Sequence, residues 1–85
     1  MNAQQVGQTI ASLRKEKGLT QKELAEQLHV TDKAVSKWER GINFPELSLM
    51  EPLATALDTS VVHLLALEDA SSNEVVSTIS FFDIT

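Results

Sequence analysis

The sequence predicts an all-α protein of five short helices followed by a C-terminal tail. Three observations carry that expectation. Apolar residues recur at spacings of three and four from Val6 onward. Side chains suited to capping stand before those runs at Thr20, Thr31, Ser48 and Ser60. Few residues separate one run from the next, so the helices pack as a bundle with short connections.

The first helix is expected over about Gln4 to Lys17. Val6, Ile10 and Leu13 form its apolar stripe, and Arg14, Lys15 and Lys17 suit the negative end of its dipole before Gly18 ends it. Thr20 and Glu23 are spaced as a capping box: the hydroxyl accepts from the Glu23 N–H and the carboxylate from the Thr20 N–H. The box opens a second helix from Gln21 to about Leu28, with Leu24, Ala25 and Leu28 inward. Thr31 caps a third helix, Asp32 to about Arg40, with Val35 and Trp38 inward and Gly41 closing it.

Ile42–Pro45 reads as a connector and Pro45–Leu47 as a helical turn. Ser48 and Glu51 have the spacing of a second capping box. With Ser48 as N-cap, Pro52 falls at the fourth helical position, where only the first intrahelical bond is lost. Helix 4 then runs to Leu57, burying Met50, Leu53, Ala54 and Leu57, and Ser60 caps a fifth helix from Val61 to about Leu67. Residues 1–67 form one helical domain on this reading.

Residues 68–85 differ in character. Glu68–Asn73 is acidic, small and turn-prone, a linker by composition. VVSTISFFDI (75–84) is rich in β-branched and aromatic residues that fit a strand better than a helix. Two outcomes are open for it: disorder, or pairing as a strand with itself or with a protein partner.

At 42% hydrophobic and 22% charged, the 85-residue chain is globular in composition and long enough for one domain. It has no cysteine, which excludes disulfides, thiolate metal sites and cysteine nucleophiles, and its three glycines form no phosphate-cradling loop. No apolar run approaches the roughly 18 residues of a membrane span, and the start lacks a signal-peptide pattern. A cytoplasmic chain with no membrane contact is expected. His29 and His63 stand without a nearby cysteine or paired carboxylate, and no nucleophile–base–acid set is visible. The expectation is therefore no metal, no cofactor and no enzyme chemistry.

The net charge is −5, yet it is divided. All seven basic side chains (Arg14, Lys15, Lys17, Lys22, Lys33, Lys37, Arg40) lie before Phe44 with five acids, for a balance of +2. The other seven of the twelve acids follow with no base, for −7. Such asymmetry suggests one end facing a polyanion and another facing solvent or a partner.

Gln21 to Arg40 sets two short helices around His29-Val30-Thr31. Small Ala25 permits a close crossing, Val30 plugs the turn, and Val35 and Trp38 pin the second helix to the core. Asp32, Lys33, Ser36 and Lys37 are left on a polar face that can enter a DNA major groove about 12 Å wide. Asp32 has a second reading, since an acid in a first helical turn is favoured by the dipole whatever it touches.

The stretch LRKEKGLTQKELAEQLHVTDKAVSKWERGINFPEL resembles the λ-repressor-like (Xre-type) helix-turn-helix family of bacterial and phage regulators. The likeness covers about Val6 to Leu67 and rests on LTQ-x-x-LA, V-x-x-x-VSKWERG and the following Asn-Phe-Pro. It implies a DNA-binding domain over 1–67 and a transcriptional regulator, expected to be a repressor acting as a homodimer on palindromic double-stranded DNA. By the same resemblance Gln21 would touch a phosphate and brace the base-reading side chains. Asp32, Lys33, Ser36 and Lys37 would face base edges, with Thr31 at the cap in the same DNA-binding set, while Arg40 and Asn43 would hold the flanking backbone.

Two positions depart from the family pattern. His29 and Asp58 stand where glycine is usual, and both residue types visit the left-handed region at modest cost. Two other readings remain: an antitoxin-type interaction module whose tail masks a protein partner, and the N-terminal DNA reader of a longer regulator.

Overall fold

The computed structural model describes residues 2–65, and among them are five α-helices, one 3₁₀ turn and no strand. The helices are α1 (Ala3–Glu16), α2 (Gln21–Leu28), α3 (Asp32–Glu39), α4 (Met50–Ala56) and α5 (Val61–Leu64); the 3₁₀ turn spans Leu47–Leu49. The tail expected over 68–85 lies outside the described residues, as do the last two residues expected for the fifth helix.

Local chemistry accounts for the helix starts. The Asn2 Oδ1 accepts from the Gln5 N–H at 2.8 Å. Thr20 and Glu23 form the reciprocal capping box, with bonds of 3.0 and 2.9 Å. Thr31 Oγ1 accepts from the Ala34 N–H at 3.1 Å and Ser60 Oγ from the His63 N–H at 3.0 Å. Each cap satisfies a donor that has no partner inside its helix.

Four of the helices stop in the same way. Beyond each lies a residue in the left-handed region: Gly18 (φ 71°), His29 (φ 58°), Gly41 (φ 76°) and Asp58 (φ 57°). At α2, the His29 N–H donates to the Glu26 carbonyl at 3.3 Å and the Val30 N–H to the Ala25 carbonyl at 3.0 Å. Matching pairs close α1, α3 and α4, so all four ends are Schellman motifs. Histidine and aspartate therefore do the work that glycine does at the other two ends.

The start of α4 differs from the Ser48 capping box expected from spacing. A 3₁₀ turn over Leu47–Leu49 leads directly into the helix, and no side chain caps it. An N-cap needs extended backbone, whereas Leu49 immediately before α4 has φ −94° and ψ −7°. The turn is held by the Leu49 N–H donating to the Glu46 carbonyl at 2.9 Å, and it carries Met50 into the core. Pro52 is the third residue of α4, within the first turn, where its missing N–H has no helical acceptor to forfeit.

Val6, Ile10, Leu24, Ala25, Leu28, Val35, Trp38, Met50, Leu53, Ala54, Leu57 and Leu64 form one core. Leu13 and Val30 pack against its edge, half-buried. α3 lies against both α1 and α2, while α4 and α5 close the opposite side. The α1–α3 contact is backbone-close at Gly7: a Cβ there would collide with the Trp38 carbonyl oxygen and stand 2.9 Å from that of Glu39.

Candidate nucleic-acid interface

α3 turns Val35 and Trp38 into the core, which leaves Asp32, Lys33 and Lys37 exposed along its outer side and Ser36 half-exposed between them. Among the described residues no carboxylate lies within ion-pair distance of Lys33, Lys37 or Lys22. Among those residues their charge is uncompensated at the surface. Arg40 follows on the same ridge: its Nε donates to Ser36 Oγ at 3.2 Å and to the Ser36 carbonyl at 3.3 Å. Thr31 is exposed, with its oxygen engaged as the cap of α3 and its O–H still able to donate.

Gln21 is the first residue of α2, and its side chain is tied to α3. Its Nε2 donates to Glu39 Oε1 at 2.9 Å. Asn43 is exposed on the connector, beside a shallow hollow of about 250 Å³ that it lines with Val30, Ala34, Trp38 and Phe44. The residues singled out from the sequence thus fall into two groups: a continuous outer face on α3, and Gln21 and Asn43 at its margins.

Spacing alone missed the hub behind this face. Arg14 Nε donates to Glu39 Oε2 at 2.6 Å and Nη2 to Oε1 at 3.0 Å, while Nη1 donates to the Leu19 carbonyl at 2.7 Å. The two side chains are only 11% and 8% exposed. The hydrogen bond and charge of Glu39 raise the Arg14 pKa above its ordinary value, against the lowering effect of burial. Arg14 is therefore spent inside the fold and adds nothing to the outward positive charge. A signal existed in the sequence: Glu39 is an acid in a last helical turn, where the dipole disfavours it unless a cation is supplied.

A helix-turn-helix family model matches residues 10–64. The chain is 37% identical over 60 residues to the HTH-type transcriptional activator BcrR of Enterococcus faecalis, covering 71% of this chain and 29% of that one. The biofilm master regulator SinR, solved in complex with DNA, superposes with a TM-score of 0.66 at 39% identity, over 71% of this chain and 97% of its own. The P22 c2 repressor, solved with a synthetic operator, superposes at 0.67 and 30% identity, over 69% and 89% of the two chains. The chain spans between 29% and 59% of the length of the first three curated relatives it matches. No helix among the described residues is long and apolar enough to cross a membrane. The matched motif, the five-helix architecture and these likenesses agree, and the chain belongs to the λ-repressor-like (Xre-type) helix-turn-helix family of transcriptional regulators.

Proposed function

We propose that this protein is a sequence-specific regulator of transcription that binds double-stranded DNA by inserting α3 into the major groove, acts as a repressor, and engages a palindromic site as a homodimer. The observation that carries this reading is the outer face of α3, where Lys33 and Lys37 are exposed beside Asp32 and Ser36 with no carboxylate partner among the described residues. In this arrangement Asp32, Lys33, Ser36 and Lys37 face base edges, Thr31 adds its donor at the helix start, and Gln21, Arg40 and Asn43 contact the flanking backbone. Arg and Lys suit guanine, and an acid suits the cytosine amino group. The likeness to two DNA-bound proteins supports the same mode of docking.

Selection from random duplexes tests the proposal directly. A recovered motif with two inverted half-sites supports it; recovery of no motif refutes sequence-specific binding. Arg40→Ala should flatten the dependence of log K on log salt by roughly one unit, as a lost phosphate contact, whereas Lys37→Ala should relax the selected motif at the base it reads. Placing the recovered site across a reporter promoter separates repression from activation. Sedimentation of the free and DNA-bound protein reports the homodimer.

A further inference from the structure

Resting on that DNA-binding reading, we propose that Glu39 is a positioning residue for DNA contact and acts through the side-chain amide of Gln21. Glu39 stands at the end of α3 and Gln21 at the start of α2, and they meet at 2.9 Å between Oε1 and Nε2. An ionised carboxylate only accepts hydrogen bonds. The Gln21 amide must therefore turn its nitrogen toward Glu39, because the flipped amide would set oxygen against oxygen. One N–H is used in this way, which leaves the second Nε2–H as the side chain's remaining donor.

The anchor itself is rigid. Glu39 receives two bonds from Arg14, and Arg14 is fixed by a third to the Leu19 carbonyl. Both residues are largely buried, whereas Gln21 is half-exposed. At the same helix start, the capping box occupies the N–H groups of Thr20 and Glu23, and those of Gln21 and Lys22 have no acceptor among the described residues. The remaining Nε2–H is thus carried by the residue that opens α2, at the positive end of its dipole and beside those two backbone donors. That set suits a phosphate oxygen. Glu39 holds the neutral member of it in the donating orientation before DNA arrives, which removes an ordering cost from binding.

The test is a cycle on the full chain, using the duplex recovered by wild-type random-site selection. Gln21→Ala removes the donor. The pair R14M/E39M removes the anchor while replacing the ion pair with apolar side chains of similar bulk, an exchange that buried pairs often tolerate. Gln21→Ala should weaken binding by about tenfold, the scale of one hydrogen bond to a charged group, and R14M/E39M by about threefold to tenfold, the scale of ordering one side chain. The triple variant should bind no more weakly than Gln21→Ala alone. The slope of log K against log salt should stay at the wild-type value, since a neutral amide releases no counterion. The inference is overturned if R14M/E39M binds as wild type does, or if it weakens binding equally with and without Gln21. If wild type selects no duplex at all, the DNA-binding reading fails and the inference goes with it. Should R14M/E39M not fold, the wild-type Gln21 amide reports by NMR. One Nε2 proton should be protected in the free protein and the other should shift on adding the duplex; two equally exchanging protons would overturn the role.

Discussion

Arg14 and Glu39, 25 positions apart, form a two-pronged ion pair that ties the last turn of α1 to the last turn of α3. Its geometry is bidentate, with both side chains nearly closed off from water. Breaking such a pair from one side leaves a buried charge without a partner, which costs more than the pair contributes when intact. Arg14→Met alone should therefore lower stability by about 3 kcal/mol, whereas R14M/E39M should recover most of that loss. Urea unfolding of the three proteins checks this, and equal losses for the single and double variants would contradict it.

The pair also predicts a pH behaviour. Its effect is to raise the Arg14 pKa from an already high value. Stability from a raised pKa is fully present below the unfolded value and is lost only as pH climbs through the folded one. Arg14 should therefore contribute no slope to the unfolding free energy between about pH 7 and 9. A difference in slope between wild type and R14M/E39M over that window would show another group titrating through this contact.

Gly7 sits where α1 crosses α3, and its missing side chain makes the contact possible. An added methyl meets the Trp38 carbonyl, a backbone atom that cannot swing aside. Gly7→Ala should cost about 1–3 kcal/mol as overpacking, although alanine is the better helix former. A melting temperature equal to or above that of wild type would mean that the two helices separate freely.

His29 and Asp58 hold left-handed backbone without the freedom of glycine. His29→Gly and Asp58→Gly should each stabilise the protein by about 1 kcal/mol, the scale of the left-handed penalty less the added chain entropy. Val at either position should do the reverse. Thermal melts of the single variants check the sign.

Asp32 has two roles to separate. It is exposed and lies in the first turn of α3, where the dipole alone stabilises an acid by about 0.3–1 kcal/mol. As a base reader, Asp32→Ala should relax the selected motif at one or two positions, with about 1–3 kcal/mol of discrimination lost at each. It should also raise affinity for random DNA at low salt. A lower melting temperature with an unchanged motif would assign Asp32 to the helix end alone.

Much of this protein was determined by its sequence alone. The left-handed stops at His29 and Asp58 were legible through the family pattern, which sets glycine there. The helix starts at Thr20, Thr31 and Ser60, and the division of α3 into an inward side of Val35 and Trp38 and a polar outer face, depend on residues three or four positions apart. Interactions over that range are set by helical geometry and by the chemistry of each side chain. What only the tertiary structure decided involves longer separations or backbone entry angles. Ser48 has the right neighbours for a cap, but the chain enters α4 as a 3₁₀ turn, so the extended geometry a cap requires is absent. Arg14 suits the end of its own helix, yet among the described residues packing brings Glu39 to it out of several chemically equal carboxylates. The need for glycine at position 7 arises only where α3 is laid across α1. Charge and shape name the kinds of partner a residue can accept, and the crossing of α1, α2 and α3 selects the one it meets.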